Sequence, residues 1–476
     1  MWDLPILAIF PLLLMSNSSL KGNGQRALRN SLEKITLGAL SRLSNHFSRT
    51  SVMNKSSRPK HILITNIVSL NTGDAAILLG MFNILRERYG ADTKFTVFDK
   101  SAKAANKYYP WAKFRQSLFG NRPKSLVGRK LQVLGYGHWV ERIRYVSLCL
   151  ASRLIRLKAG WLARLLLSED DLQSVSEYVH ADLVVSTGGT YLTENYGLWT
   201  NIRDYRFTLA AGARLVFFTQ TLGPFTRPEF RKAFADIFNR SDAILLRDQR
   251  SKRHVLELSI PESKVTLGKD AAFVIEPDDP VSCPGRLRIA VSVRTLRFFS
   301  DSERSLADQY KSSVSEMVIS AVRNHGAEVV FLSTCQGIPE YWTDDTRLAD
   351  EINNALPEDV RRSVVVDRQF RQPLDIIGAY NRFDLVIATR MHAAILGLVA
   401  GTPVLGIAYE FKLEELFHQL GMDDARLSTS GMDPESSKAA LKNMLNNLDY
   451  WKAEVLAVRS KCRIEAASVK DKLPDV

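Results

Sequence analysis

Short apolar runs alternate with longer amphipathic segments along the chain, which is the pattern of β-strands joined by helices. The run HILITNIV at 61–68 predicts a buried strand, and a turn follows it at 69–74. The next segment carries apolar residues at helical spacing and ends at Gly90, and KFTVFD at 94–99 predicts a second strand. A strand, a helix and another strand in this order predict a parallel sheet.

This order continues along the chain and restarts once. A Pro-, Asp- and Gly-rich stretch at 276–285 separates the two series and predicts a linker. The further strand-bearing segments lie at 182–186, 213–225, 242–248 and 264–275 before the linker, and at 288–294, 327–334, 363–367, 384–388 and 405–409 after it. We therefore predict an α/β protein whose two domains, at 58–278 and 279–436, face a cleft and are followed by C-terminal helices at 437–476.

The first 57 residues are predicted to lie outside both domains. Their apolar run, Leu4 to Met15, is too short to cross a bilayer as a helix. Two interpretations are open, namely the apolar part of a signal peptide and a disordered or interfacial leader. No basic residue precedes the run and Asp3 is acidic, which favours the leader.

Positive charge is concentrated in parts of the chain. Of the 64 Lys and Arg residues, fourteen lie at 101–168, where only Glu141 opposes them. This segment interrupts the strand order and is predicted to be a basic helical insertion in the first domain. Its apolar and basic residues suit either contact with an anionic membrane surface or a solvated helical insertion that packs on the domain. Outside this segment and the leader the chain is mildly acidic, which argues against a nucleic-acid partner.

The cysteines indicate the compartment. Cys149, Cys283, Cys335 and Cys462 lie far apart and form no C-x-x-C pair, so neither a zinc site nor a disulfide framework is predicted. A reducing compartment follows, and we predict a cytoplasmic protein. If the basic segment binds lipid, the protein is peripheral at the inner face of the membrane.

Familiar nucleotide and metal motifs are missing from the sequence. It contains neither the P-loop pattern nor H-E-x-x-H. The acidic pairs Asp344–Asp345 and Asp423–Asp424 are interpreted as turn or helix-start residues. No metal site is therefore predicted.

The carboxyl ends of the predicted strands carry the residues best suited to chemistry. Ligands of open parallel sheets bind there. Glycines allow close approach of the backbone, while helix N-termini and Arg side chains favour anions. We therefore predict an anion pocket in the second domain around Arg294 and Arg390. The loops at these ends are NTGD (71–74), TGGT (187–190), QTLGP (220–224), SVR (292–294), STCQ (333–336) and RMH (390–392).

Each of these residues also has an interpretation without a ligand. Asp74 suits the N-cap of the helix that follows it. Gly188 and Gly189 suit a tight turn, Arg294 an ion pair between the domains, and His392 a satisfied histidine at a helix start. Their joint occurrence at successive strand ends favours a functional site.

An ordered series of motifs resembles the polysaccharide pyruvyl transferase family from about 61 to 421. The series is NTGDAAIL, STGGTYL, QTLGPF, RDQRS, DAAF, SVR and RMHAAI, followed by Pro403, Tyr409 and Lys412. Each motif alone is weak, whereas the ordered set is specific. Two features depart from the family pattern: Thr187 stands where many members have glycine, and the long basic insertion is not part of the family core.

The resemblance implies a GT-B-like fold of two Rossmann-like domains and phosphoenolpyruvate as the donor co-substrate. It implies that pyruvate is placed as a ketal on a sugar of an exopolysaccharide or cell-wall polymer, or on the lipid-linked precursor, with release of phosphate. No metal or nucleotide cofactor is expected. The alternatives are a nucleotide-sugar glycosyltransferase on the same fold and a catalytically inactive assembly component.

The resemblance also implies roles for individual residues. His392 is predicted to be the general acid, or the group that protonates the departing phosphate, and Asp74 is the candidate base for the acceptor hydroxyl. The predicted donor-binding residues are Arg294, Arg390, Met391, His392, Lys412 and Ser333. The predicted acceptor-binding residues are Asn71, Gly73, Gly188, Gly189 and Gln220.

Overall fold

The computed structural model of the protein describes residues 59–120, 137–194, 196–277, 285–296, 304–429 and 432–476. The predicted leader and most of the predicted linker lie outside these residues. Within the described ranges the strands form two parallel sheets, one on each side of the linker. The prediction of an α/β fold with two Rossmann-like domains is therefore confirmed.

The first sheet has seven strands among the described residues, in the order β3-β2-β1-β4-β5-β6-β7. Its central strands are buried along their whole length, since helices cover both faces of a parallel sheet. The strands are β1 (His61–Ile67), β2 (Lys94–Asp99), β3 (Phe114–Gln116), β4 (Leu183–Ser186), β5 (Leu215–Gln220), β6 (Ala243–Leu246) and β7 (Val265–Leu267).

Helix α1 (Thr72–Tyr89) connects the first two strands. The Asn71 side chain accepts a hydrogen bond from the Gly73 N–H and caps the helix, which ends at Gly90 with a φ of 108°. The remaining helices of this domain are α2 (Ala102–Tyr108), α3 (Gly137–Arg156), α4 (Gly160–Ala163), α5 (Glu169–His180), α6 (Trp199–Ala210), α7 (Pro228–Arg240) and α8 (Gln249–Leu256).

The second sheet has six strands in the described part of the chain, in the order β10-β9-β8-β11-β12-β13. Its strands are β8 (Arg288–Ser292), β9 (Glu328–Phe331), β10 (Val364–Val366), β11 (Leu385–Ala388), β12 (Val404–Ala408) and β13 (Arg426–Ser428). Its helices are α9 (Arg304–His325), α10 (Thr346–Ala355), α11 (Glu358–Arg361), α12 (Pro373–Tyr380), α13 (Met391–Ala400) and α14 (Phe411–Leu420).

Both sheets reverse their strand order next to their first strand. β1 pairs with β2 on one side and with β4 on the other, and β8 pairs in the same way with β9 and β11. Such a reversal opens a crevice at the carboxyl ends of the strands, where ligands bind. Residues 66–74 and 389–392 lie at these two crevices, so the topology brings them toward one cleft.

The C-terminal helices tie the two domains together. They are α15 (Pro434–Asn446) and α16 (Leu448–Ser468), and α16 contacts α13 of the second domain. The chain then returns to the first domain, where the Tyr89 hydroxyl donates to the Pro474 carbonyl at 2.7 Å. The last residues therefore help to set how the two domains face each other.

The predicted basic insertion belongs partly to the first sheet. β3 lies within the predicted range of about 101–168 and pairs with β2 at the edge of the first sheet, while the predicted bounds of the insertion stay a prediction. The strand FRQ is too short and polar to show a strand pattern. The helical part is α3 and α4, and α3 contacts α5 and α6; residues 121–136 lie outside the described ranges. No helix of the described residues is both long and apolar enough to cross a membrane.

Candidate functional site

A cavity of about 670 Å³ lies between the domains at the carboxyl ends of the two sheets. The structure brings seven of the predicted site residues to its wall, whereas Gly73, Gly188, Gly189, Gln220 and Ser333 do not line it. The seven are Asn71, Asp74, Arg294, Arg390, Met391, His392 and Lys412.

The first turn of α1 presents Asp74 to the cavity. Because Asn71 caps the helix, Asp74 is not the N-cap, and that interpretation is wrong. Asp74 is buried, and burial raises the pKa of its carboxyl against the opposing effects of His392, the Tyr191 hydroxyl and Arg247. A carboxylate with a raised pKa is a stronger base than an ordinary one, which suits the capture of a hydroxyl proton.

Gly73 gives close contact between the domains. A Cβ atom at this position would lie 2.3 Å from the His392 Cβ, so a larger residue would displace the imidazole. Next to it, the Thr72 N–H donates to the Thr334 carbonyl of the second domain at 3.1 Å. The structure places Gly73 beside the histidine, and the predicted contact with an acceptor stays a prediction.

Asp270 and Arg247 form a charged pair next to His392. The His392 Nε2 lies 3.7 Å from the Asp270 Oδ2, and Asp270 forms a buried ion pair with Arg247. Arg247 also donates to the hydroxyls of Thr190 and Thr221 at 2.8 and 2.9 Å. Burial disfavours the charge of Asp270, yet His392 and Arg247 outweigh it and lower the pKa of this carboxyl to about 2. The ionised Asp270 thus places a negative charge beside the imidazole of His392.

Arg390 is anchored by a buried carboxylate. Its Nε and Nη2 both donate to Asp345 at 2.6 Å, and the Ser333 hydroxyl donates to the same carboxylate. Asp345 stands at the N-cap position of α10, in agreement with the interpretation of the acidic pair as turn or helix-start residues, and Asp344 accepts the Thr346 N–H at 3.0 Å there. The sequence does not show the pairing of Asp345 with Arg390. The bidentate pair engages the Arg390 Nε and Nη2, and Ser333 orients the carboxylate without lining the cavity.

Arg294 and Lys412 carry the positive charge of the second-domain wall. The Arg294 guanidinium lies 4.8 Å from the centre of the Tyr409 ring and donates to its hydroxyl. Burial and the nearby Arg390 lower the pKa of Arg294. Burial also lowers the pKa of Lys412, although Glu410 lies 3.2 Å away. Cations that lose affinity for their protons in this way gain from a bound anion.

Helix α13 adds backbone donors to the same wall. It begins at Met391, and no side chain caps its first turn. The first N–H groups of a helix have no partner within it and attract anions. Met391 lines the cavity, and the predicted contact of its N–H with a donor stays a prediction.

Three of the predicted acceptor residues stabilise the loops behind the cavity. A Cβ at Gly188 would lie 2.7 Å from the Phe218 carbonyl, and one at Gly189 would lie 2.3 Å from the Tyr191 ring. Gln220 is buried, and its amide nitrogen donates to the Ser186 hydroxyl at 2.8 Å. Nothing in this geometry supports direct contact with an acceptor, and these assignments stay predictions.

The sequence does not reveal which side chains support the candidate catalytic and donor-binding residues. Arg247 and Asp270 lie in the motifs RDQRS and DAAF, to which the sequence assigns no role, and Asp345 lies in none of the motifs. Asp345 lies 45 residues before Arg390, and Asp270 is farther still along the chain from His392, so local spacing does not reveal these contacts. The described residues contain no group of three His, Cys, Asp or Glu able to hold a metal ion, and the expectation of no metal stays a prediction.

Comparison with known proteins decides the family. Residues 71–410 match the sequence profile of the family described as Polysaccharide pyruvyl transferase, which is well over half of the chain. The chain belongs to the polysaccharide pyruvyl transferase family. This family member is therefore a transferase, and its match spans both walls of the cavity.

A curated relative connects this family member with exopolysaccharides. It is 26% identical over 318 residues to the amylovoran biosynthesis protein AmsJ of Erwinia amylovora, a match that covers 64% of this chain and 75% of the relative. Polysaccharide biosynthesis is thus supported as the general function.

Solved structures with a similar fold confirm the GT-B-like architecture. One is a putative UDP-N-acetylglucosamine 2-epimerase from Listeria monocytogenes, with a TM-score of 0.53, 11% identity and coverage of 86% of this chain and 94% of that one. Another is HepE from Anabaena in complex with UDP-glucose, with a TM-score of 0.51, 10% identity and coverage of 87% and 97%. At such identity the likeness shows the fold alone.

Proposed function

We propose that this protein transfers pyruvate from phosphoenolpyruvate to two hydroxyls of a sugar as a ketal and releases phosphate. One observation carries the proposal. Cationic side chains of the second domain face Asp74 of the first domain across the cavity, and the pKa of the Asp74 carboxyl is raised. Phosphoenolpyruvate carries a phosphate and a carboxylate. Arg294, Lys412 and the first N–H groups of α13 suit both.

The side chains account for the proton transfers of this reaction. A sugar hydroxyl adds to the enol carbon, Asp74 takes the hydroxyl proton, and His392 delivers a proton to the methylene carbon. A second hydroxyl of the same sugar then displaces phosphate from that carbon, and its proton leaves with the phosphate. Asp270 lies 3.7 Å from the imidazole that delivers this proton and orients the ring by its charge.

The positive charge for the departing phosphate is supplied by Arg294 and Lys412, so we propose that no metal or nucleotide cofactor takes part. Turnover is then expected to continue in the presence of a chelator. Complete loss of turnover on chelation, restored by a divalent cation, would contradict this part of the proposal.

Thermal shift and calorimetry test the donor. Phosphoenolpyruvate should stabilise the wild-type protein, whereas UDP and UDP-glucose should not, because the cationic wall is suited to the smaller anion. Stabilisation by UDP-glucose alone would identify a nucleotide-sugar glycosyltransferase instead.

Product analysis tests the reaction. Galactosides and N-acetylmannosaminides are incubated with the enzyme and phosphoenolpyruvate, and phosphate release is followed. A ketal and an enolpyruvyl ether are isomers of equal mass, so proton NMR is needed to separate them. The ketal has a methyl singlet, and a product with vinyl protons would show enolpyruvyl transfer.

We also propose that the acceptor is a saccharide carried at the membrane, and that α3 and α4 contact anionic lipid. Ile143, Val146, Leu150 and Leu157 are 45–71% exposed. At 100° per residue they fall within one narrow stripe, and Trp161 of α4 is 68% exposed. Basic residues flank this apolar face, as on helices that lie at the inner face of a membrane. They are Arg142, Arg153, Arg156, Lys158 and Arg164.

Liposome flotation tests this contact. Wild type should float with vesicles that contain phosphatidylglycerol and less with neutral phosphatidylcholine vesicles, and Leu157→Glu with Trp161→Glu should abolish flotation. Ile464→Glu is the matched control, since Ile464 is 71% exposed on α16. Equal flotation of wild type and the double variant would exclude this face as the lipid contact.

A further inference from the structure

The cavity extends beyond the groups to which a chemical role is assigned. On the first domain its wall continues past Asp74 to Asn66, Asn201 and Asp204, with the ring of Tyr178 beside them. Phosphoenolpyruvate has only three carbons and a phosphate, so it does not need this part of a cavity of about 670 Å³. We call this region, lined by Asn66, Asn201 and Asp204, the first-domain subsite.

Asn66 adopts a backbone conformation that residues other than glycine rarely take. Its φ is 60°, and the register of β1 against β2 shifts between Ile64 and Ile67, so the chain bulges at this residue. The Asn201 amide donates to the Asn66 Oδ1 at 2.7 Å and holds its side chain. Non-glycine residues in this region cluster at ligand sites, where the surrounding structure holds the backbone. The Asn66 amide nitrogen in turn donates to the Ser186 hydroxyl at 3.4 Å, so the bulge places an oriented amide in the cavity wall at the end of a central strand.

Asp204 supplies a carboxyl group to the same wall. The Tyr178 hydroxyl donates to its Oδ1 at 2.7 Å, which fixes the orientation of the group. Protein atoms surround Asp204, yet part of its surface remains open to the cavity. Burial raises the pKa of this carboxyl to about 6, against the opposing effects of Tyr178 and Thr65. A carboxyl in this position accepts hydrogen bonds from hydroxyl groups and repels anions.

Aromatic side chains complete the subsite. Phe98, Phe119 and Tyr178 line the cavity and are otherwise buried. The polar groups facing these rings are two amides and a carboxyl, and the exposed Lys100 also lines the cavity. Apolar C–H faces with hydroxyls around them are the features of a sugar ring, and they match a wall of rings with a few oriented polar groups.

We propose that the first-domain subsite binds a sugar ring of the acceptor, with Asn66, Asn201 and Asp204 as specificity-determining residues. The proposal rests on the proposed function for the identity of the reaction, whereas binding of the sugar is independent of it. A phosphate or a nucleotide diphosphate is a poor occupant, because Asp204 would repel it.

Ligand-observed NMR tests the subsite without relying on turnover. The probes are methyl glycosides of galactose, glucose and N-acetylmannosamine, measured by saturation transfer with the full chain. At least one should receive saturation from wild type. Asp204→Asn, which preserves shape and the bond from Tyr178, and Asn66→Gly, which tolerates the positive φ, should each weaken its binding about tenfold or more, as expected for loss of an oriented hydrogen bond. Asp236→Asn is the matched control, on an exposed carboxylate of the same domain.

The outcomes separate the two proposals. Calorimetry with phosphoenolpyruvate on the same variants should give unchanged affinity, because the donor wall is intact. Sugar binding that survives both substitutions, or no sugar binding by folded wild type, would overturn the subsite and leave the donor proposal standing. Sugar binding without any binding of phosphoenolpyruvate would overturn the proposed reaction and leave the subsite standing.

Discussion

The two walls of the cleft share one backbone plan and differ in chemistry. Each is built from the carboxyl ends of parallel strands beside a reversal of strand order. The second-domain wall carries Arg294, Arg390 and Lys412, whereas the first-domain wall carries Asp74 and Asp204. The same fold has therefore produced one cationic and one hydroxyl-accepting surface.

The difference shows that side chains at strand ends, rather than the sheets, assign the roles. In the proposals above, an anion binds at the second domain and a neutral hydroxyl compound at the first. His392 belongs to the cationic wall but packs on Gly73 of the other one. The proposed chemistry is thus located where the two walls touch.

Removing the group at that junction should have the largest effect. His392→Ala is expected to lower kcat by roughly 10²–10⁴-fold, the usual contribution of a general acid. Phosphate release with saturating phosphoenolpyruvate and acceptor measures it. His418→Ala is the control, because this histidine is mostly exposed on α14; similar losses in both variants would argue against a role for His392 in proton transfer.

Removing Asp345, the carboxylate that pairs with Arg390, should mainly lower the stability of the protein. Asp345→Ala leaves Arg390 buried without its carboxylate and is expected to lower the free energy of unfolding by about 3–5 kcal/mol. Asp359→Ala breaks an exposed pair with Arg323, which solvent screens, and should cost much less. Denaturant titration compares the two, and an equal cost would mean that the buried pair is not a structural support.

Removing Arg294 from the cationic wall should change donor binding alone. Arg294→Met is expected to weaken phosphoenolpyruvate binding by about 1.5–3 kcal/mol, or roughly 10- to 100-fold. Steady-state kinetics should show this in the KM for phosphoenolpyruvate, with the KM for the acceptor nearly constant. Arg323→Met, on the surface pair described above, provides the control. A larger change in the acceptor KM would reverse the assignment of the two walls.

The smallest effect is expected for a change at Asp74 of the first-domain wall, and it is an effect on the stability of the protein. A carboxyl whose folded pKa is raised contributes stability that is present below its unfolded pKa and is lost as the pH rises through the folded pKa. Asp74→Asn removes this loss, so the variant should have a higher Tm than wild type at neutral pH but not at pH 3. It should also be inactive. A lower Tm at neutral pH would show that ionised Asp74 stabilises the fold.

Local patterns explain which elements were predictable. The buried strands and α1 follow from apolar spacing and from Gly90, which depend on neighbouring residues only. β3 was missed because FRQ pairs with β2 through tertiary contact and has no pattern of its own. The sequence allows Asp74 as an N-cap because its residue type suits one, whereas the structure shows that Asn71 accepts the hydrogen bond.

The sequence by itself determined the two α/β domains, the family, and the residues at the strand ends, because these depend on periodicity and ordered motifs. Only the tertiary structure decided how those residues are used. It paired Arg390 with Asp345, placed Asp270 beside His392, and joined Asn66 with Asn201 and Asp204 in one wall. Charge pairing and burial depend on distances between remote parts of the chain, and folding alone sets those distances.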